Sequence, residues 1–439
     1  MVAGQDLTVP AHNISWVASA LVLGQITGSF FGSIVPDKIG RKTACQLCAC
    51  ASLLSWSLVA ASQYDWMIFL GRFLTGLFDS LPVAGAVMYV SEVTEITYRG
   101  SFLNSTTIAS GLGIALGLLC GSNIHWRFAC IIPIVKTLFI LCILSYCYES
   151  PVYLLMKAKD PEKVLVWYRE SFEASYQTKE NISKELAEMR ASTDAGNDDL
   201  RSSIKKLFSG INCKAFIILF VIFTLYPITG AYSIVFFAID LFNQLGLGSA
   251  VVVAVISALL RCVGTALSSA LLFRFGRRNI MVITTATCAI LNGVVGGLII
   301  LRDHVNSDII ISWTLTVLIM VFMFCVGISI VGFPWILMGK LCNSVLICPN
   351  SVLAEWFSPD LKLLVSMTMI CYQFFMTFVA VQITAPIINL AGHSGLFIFF
   401  CIICSIKTGF ILAFVPETHG KTYEQVKNEE IARQPVSVI

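Results

Sequence analysis

Charged residues at repeated spacings stand out first in this chain. Asp37-Lys38-Ile39-Gly40-Arg41-Lys42 follows the first apolar segment, and Arg274-Phe275-Gly276-Arg277-Arg278 follows a segment in the second half. Glu92 stands seven residues before Arg99, and Glu355 stands seven before Lys362. Glu149-Ser150-Pro151 closes the first set of apolar segments, and Pro416-Glu417-Thr418 closes the second. Acids and bases placed this way can make and break ion pairs. Three echoes in the same order point to a duplicated membrane unit. A different kind of charge is Arg261, which lies inside an apolar run. A charge in mid-membrane costs at least about 2.5–3.5 kcal/mol, so such a residue faces a cavity or a partner. Asp79 and Asp240, also inside apolar runs, are candidate partners. Two readings stay open for Arg261: a buried structural ion pair, or a contact to a polar or anionic substrate.

Other chemistries find little support. No nucleophile–base or metal constellation stands out, so an enzyme is not expected. No Gly-rich Lys-Ser/Thr motif is present to cradle phosphates, and no cofactor is expected. Cys45, Cys48 and Cys50 resemble a metal cluster in spacing alone; they lie in an apolar run without His or acidic partners, and no metal is expected there. Most of the sixteen cysteines fall in apolar spans, where Cys serves as a small apolar residue, so no structural disulfide is expected.

The elements that must hold these residues are membrane helices. Hydrophobic residues make up 57% of the 439 and charged residues 13%, far from the balance of a soluble protein. A bilayer core needs roughly 20 apolar residues per helix. Eleven such spans can be read, at 14–35, 43–62, 66–91, 102–121, 128–147, 214–241, 249–272, 280–301, 310–338, 363–390 and 395–415. Nothing alternates as barrel strands would. The chain therefore reads as an all-α, multi-pass membrane protein: a first set of spans over 1–149, a polar stretch 150–213 with short cytoplasmic helices, a six-span set over 214–415, and a tail 416–439.

Charge gives the orientation. With the N-terminus outside, the inner loops collect Lys38, Arg41, Lys42, Arg99, Arg274, Arg277, Arg278, Lys340, Lys362 and Lys421, while the outer connections hold only Arg127 and Arg302. This is the positive-inside pattern. The net charge of +3 thus marks a membrane face and implies no nucleic acid. Asn13-Ile14-Ser15 is an outward glycosylation sequon, and no cleavable signal precedes the first span. Gly24, Gly28 and Gly32 share one helix face and let a neighbour approach closely; both a sliding helix and static packing fit. Gly276 and Glu355 lie further apart than Gly40 and Glu92, and 340–354 reads as an insertion between the matched landmarks.

Taken together, these residues resemble the sugar porters of the major facilitator superfamily. The resemblance runs over nearly the whole chain: Asp37-Lys38-Ile39-Gly40-Arg41-Lys42, Gly71-Arg72-Phe73-Leu74-Thr75-Gly76, Tyr89-Val90-Ser91-Glu92 with Arg99-Gly100, Glu149-Ser150-Pro151, Phe275-Gly276-Arg277-Arg278, Pro334-Trp335, and Pro416-Glu417-Thr418 with Gly420-Lys421. Within the family the chain looks most like the insect facilitated trehalose transporters. The resemblance implies a major facilitator fold of two pseudo-symmetric helical bundles. The family has twelve helices and eleven are read here; the stretch from Asn13 looks like the entry to the family's second helix.

The function implied is facilitative transport of a sugar, trehalose or a hexose, by alternating access in the plasma membrane, with the C-terminus cytoplasmic and a monomer as the working unit. A carrier of another small polar solute and a non-transporting sensor are the alternatives. Asp37, Arg41, Glu92, Arg99 and Glu149, with Arg277, Glu355, Lys362 and Glu417, resemble the family's cytoplasmic charge network, whose pairs form in one state and break in the other. Trp335 matches the family's stacking Trp, and Gln373 falls where the family has a sugar-contacting Asn. The family's Gln-Gln-Leu-Ser-Gly-Ile-Asn stretch appears as Tyr226-Pro227-Ile228-Thr229-Gly230-Ala231-Tyr232, Thr107 replaces a Gln, and Arg261 replaces an Asn. The implied site is Thr107, Tyr226, Thr229, Tyr232, Arg261, Trp335 and Gln373: poorer in amides than the family's, more aromatic, and cationic.

Overall fold

The computed structural model describes residues 11–32, 34–94, 96–157, 161–172, 186–187, 210–244, 250–274, 277–304, 309–331 and 359–415. Among them every regular element is helical: α1 (Ala11–Phe31), α2 (Ile34–Ile39), α3 (Arg41–Ala60), α4 (Asp65–Val93), α5 (Ile96–Asn123), α6 (Trp126–Ala129), α7 (Ile131–Tyr146), α8 (Pro151–Met156), α9 (Glu162–Phe172), α10 (Gly210–Ile228), α11 (Ala231–Phe236), α12 (Ala238–Gln244), α13 (Ala250–Arg274), α14 (Arg277–His304), α15 (Ile309–Cys325), which runs on into a π-helical turn Val326–Val331, and α16 (Pro359–Phe414). Within the described residues, each expected span is mostly helix. By length and composition, seven stretches among them are apolar and long enough to cross a bilayer. The last, Thr368–Phe414, has 47 residues, far beyond the roughly 20 one crossing needs. It is two crossings joined at Gly392, whose φ of 68° no helix accommodates. The chain is a multi-pass membrane protein.

The expected single span 214–241 is instead three helices. Pro227 sits in the last turn of α10, and Gly230 then adopts φ 94°, turning the chain into α11. A side chain at Gly230 would collide with the Phe400 ring, so both its handedness and its size are required there. This break carries the aromatic residues of the candidate site.

The glycine stripe of α1 packs inside its own half. Gly24, Gly28 and Gly32 lie over the backbone carbonyls of Phe73, Leu77 and Leu81 of α4, and Gly76 of α4 lies over the Leu21 carbonyl. Ser80 adds a hydrogen bond to the Gln25 carbonyl at 3.1 Å. Without Cβ atoms the two backbones approach directly, which is how helices gain contact in lipid, where apolar burial gives no drive. On the outside of the bundle, α7 exposes Ile131, Val135, Phe139 and Ile143, the apolar skin expected against acyl chains. The second half is centred on Tyr226, Phe242, Phe322, Phe397 and Phe400.

The halves meet along two helix pairs, α1 with α16 and α5 with α13. Gln382 donates to the Ser19 hydroxyl at 2.8 Å, and Ser29 lies 3.2 Å from the Cys371 sulfur. In the other pair the Cys262 thiol approaches the Ile108 carbonyl at 4.0 Å. These polar contacts pair amide, hydroxyl and sulfur groups, and among the described residues no ion pair crosses the seam. After α7, helices α8 and α9 fold back under the first half. Leu165 is fully buried against Val152, Leu155 and Val166, and the Tyr168 hydroxyl meets that of Tyr89 at 2.6 Å.

Candidate functional site

Two polar groupings stand out. The first lies at one end of the first half, where α2, α3, α4 and α8 meet. Gly40, with φ 105°, breaks the chain between α2 and α3, so that Arg41 opens α3 pointing inward. Arg41 is 4% exposed. Its guanidinium pairs with Asp37 at 3.0 Å and Glu92 at 3.4 Å, touches the Met156 sulfur at 3.7 Å, and lies 5.5 Å from the Tyr153 ring centre. Burial pushes the Asp37 carboxyl above its ordinary value, while Arg41 pulls it down. Glu92 also accepts a short hydrogen bond from the Ser150 hydroxyl. Glu149 serves differently, its carboxylate accepting the backbone amides of Lys42 at 2.9 Å and Thr43 at 3.4 Å. It caps α3, where unpaired amides and the helix dipole favour an anion.

Of the nine residues expected to form the charge network, four therefore meet in one cluster that joins α2, α3, α4 and α8. Arg99 lies on α5, Arg277 opens α14 and Lys362 lies in the first turn of α16; their side chains are outside the described residues, as are Glu355 and Glu417 entirely. Asn13 falls in the first turn of α1. The segment 340–354 is also outside the described residues.

The second grouping lies within the second half, where α10, α11, α13 and α16 converge. Tyr226 is 1% exposed, and its hydroxyl donates to that of Tyr232 at 3.2 Å, the rings meeting edge to face with centres 5.6 Å apart. The Arg261 charge and the Gln373 side chain both act on the Tyr232 hydroxyl. Gln373 is 5% exposed; its amide nitrogen reaches the Thr377 hydroxyl at 3.4 Å, while its carbonyl oxygen is buried without a donor. Thr229 is fully buried and its hydroxyl is spent on the Tyr226 carbonyl at 2.7 Å. Four expected residues, Tyr226, Tyr232, Arg261 and Gln373, are thus brought together; Thr229 sits behind them. Thr107 is carried on α5 with its side chain outside the described residues, and Trp335 lies outside them altogether.

Arg261 is held by an unusual junction. Gly327 lies over the Arg261 carbonyl, and Gly264 over that of Phe324. The π-helical turn Val326–Val331 thus packs backbone to backbone on α13, and π turns often mark functional positions. The expected acidic partners are elsewhere. Asp79 accepts from Ser52 at 2.8 Å in a cavity of about 400 Å³ between α3, α4 and α7, beside Lys136. Asp240 is exposed in the first turn of α12, lining a cavity of about 300 Å³ with Ser233, Thr384 and His393.

Sequence reasoning passed over Lys136 and Lys407, although a lone Lys inside an apolar run is a readable signal. Lys407 is 2% exposed, and its ammonium lies 5.6 Å from the Tyr226 ring centre. Cys288, Cys404 and Asn292 lie around it, with Asn292 reaching the Cys404 sulfur at 3.8 Å. Among the described residues, no group of three His, Cys, Asp or Glu could hold a metal ion.

Comparison with known proteins places this architecture. The profile of the family "Sugar (and other) transporter" matches residues 4–344 and 341–429. The chain is 21% identical to the facilitated trehalose transporter Tret1-2 homolog of Drosophila simulans, over all of this chain and 87% of that protein. It is 23% identical to the facilitated glucose transporter member 8 of Bos taurus, over 94% of this chain and 84% of that protein. Among solved structures, the inward-open xylose transporter XylE from E. coli superposes with a TM-score of 0.74 at 15% identity, over 97% of this chain and 91% of that chain. The same transporter bound to 6-bromo-6-deoxy-D-glucose gives 0.72 at 16%, over 98% and 92%. The fold is the two-bundle major facilitator fold.

Proposed function

The chain belongs to the Sugar (and other) transporter family, and from that premise we propose that it moves a sugar, trehalose or a hexose, across the plasma membrane by alternating access. The observation that carries this reading is the grouping of Tyr226, Tyr232, Gln373 and Arg261 between helices of one half. Hydroxyl and amide groups converge there beside aromatic faces, with the Gln373 carbonyl left buried and without a donor. Such an acceptor costs free energy until a ligand hydroxyl fills it. The names of the relatives favour trehalose and glucose as first substrates to try.

The Arg41–Asp37–Glu92 cluster serves the same reading as one half of the inner gate, with Arg99, Arg277, Glu355, Lys362 and Glu417 supplying the rest. Trp335 and Thr107 complete the sugar path. No chemical step is involved, so the protein is not an enzyme, and it works as a monomer with its C-terminus in the cytoplasm, its N-terminus outside and Asn13 open to glycosylation.

Uptake of labelled trehalose and glucose into oocytes expressing the chain tests the proposal. Saturable uptake insensitive to a proton gradient is expected, and Gln373→Leu should weaken it by roughly five- to tenfold through loss of one or two ligand hydrogen bonds. Absence of uptake of any sugar by protein present at the cell surface would refute it.

A further inference from the structure

We propose that the substrate this site is built for is an anionic sugar, one carrying a carboxylate or phosphate group, with Arg261 as its recognition residue. The inference rests on the reading of the chain as a sugar carrier and narrows it. The second half encloses two cations, Arg261 at 6% and Lys407 at 2% exposure. The acidic residues between 214 and 415 are Asp240, Asp303, Asp308, Glu355 and Asp360, all near span ends or in connections. Asp240 is exposed, and Asp79 in the other half is bound to Ser52. Among the described residues, Arg261 forms no ion pair and its guanidinium donates no hydrogen bond. Arg41, by contrast, pairs with Asp37 and Glu92.

A buried guanidinium without an anion is costly, and the described residues place no acid to neutralise it. A bound anion would supply the charge that the described residues do not. The neighbours agree in kind. The Arg261 charge acts on both Tyr226 and Tyr232, and the Lys407 ammonium lies 5.6 Å from the Tyr226 ring centre, a second positive charge near the same pair of tyrosines. A guanidinium presents paired donors that match the two oxygens of a carboxylate or phosphate. Gln373, with its open acceptor, would take a ring hydroxyl of the same molecule. Neutral sugars can use the hydroxyl and amide groups but leave the cation unpaired.

The test uses the full chain reconstituted in proteoliposomes, with labelled glucuronate, glucose 6-phosphate, glucose and trehalose. Glucuronate or glucose 6-phosphate should enter at least about tenfold faster than glucose at equal concentration, the margin one charge-assisted pair can supply. The two anions tell carboxylate from phosphate. Arg261→Gln should lower the anion-to-glucose uptake ratio about tenfold, and Arg261→Lys should restore part of it. An inside-positive potential should accelerate anion entry by wild-type protein, a readout that stands even where a variant fails to fold. Uptake of neutral sugars without anionic ones would overturn the proposal while leaving the sugar-carrier reading intact. Uptake of neither would overturn both. A ratio unchanged in Arg261→Gln would also sink it.

Discussion

The Glu149 carboxylate accepts the backbone amide of Lys42 at 2.9 Å, across more than a hundred residues of sequence. It thereby ties the end of the first set of spans to the start of α3, beside a glycine held at φ 105°. A residue that resembles one member of a moving charge network is, in this conformation, a helix cap.

Glu149→Ala should therefore act on stability before transport. Loss of an N-terminal cap costs about 0.5–2 kcal/mol. A fall in the midpoint of thermal unfolding in detergent is expected, with Glu149→Asp recovering part of it.

Arg41 is the centre of the cluster with Asp37 and Glu92, and its removal should be more severe. Arg41→Met leaves the carboxylate of Glu92 without its cation, a change of about 3–5 kcal/mol for a buried pair. It also leaves Asp37 with only the burial that raises its pKa. A carboxyl raised on folding binds its proton more tightly in the native state. Its favourable contribution is full below the unfolded pKa and is lost as pH rises through the folded one. Unfolding midpoints of Arg41→Met should thus fall as pH increases from about 4, and adding Asp37→Asn should flatten part of that slope. Parallel pH curves for the single and double variants would contradict this account.

Gly24 tests the contact between α1 and α4. A Cβ there runs into the Phe73 carbonyl, which no side-chain rotation relieves. Gly24→Val should cost at least about 1–3 kcal/mol by forcing the helices apart, seen as reduced thermal stability and less protein at the cell surface. Gly117, where a Cβ meets open space, should tolerate the same size of change.

Lys407 gives the opposite expectation. Replacing a buried charge that has no acidic partner among the described residues with Met, of similar length, should stabilise the protein by about 1–4 kcal/mol. A higher unfolding midpoint with slower sugar uptake would mark Lys407 as a charge kept for function. A lower midpoint would show that its contact with the Tyr226 ring holds the fold.

Much of this was readable in the chain. Apolar runs of bilayer length predict helices whatever their partners, because in lipid each backbone group must be satisfied within its own helix. Each of the eleven expected spans is accordingly helical over most of its described residues, and the doubled charge motifs agree with the two-bundle fold. The span 214–241, read as continuous, divides at Pro227 and Gly230, a Pro and Gly pair whose helix-breaking power the apolar run hides. Arg261 was visible as an anomaly.

Sequence by itself determined where the helices lie and which residues are out of place in lipid, since both depend on local composition and on the cost of moving polar groups out of water. Only the tertiary structure decided what those residues face. It set the glycine stripe of α1 against α4 rather than the opposite half, used Glu149 as a cap, and placed Lys407 against Tyr226. It also set the Arg261 charge to act on Tyr226 and Tyr232, with neither Asp79 nor Asp240 as its partner. These outcomes depend on which helix faces meet, and an apolar sequence leaves that choice open because lipid-facing and helix-facing sides are equally apolar.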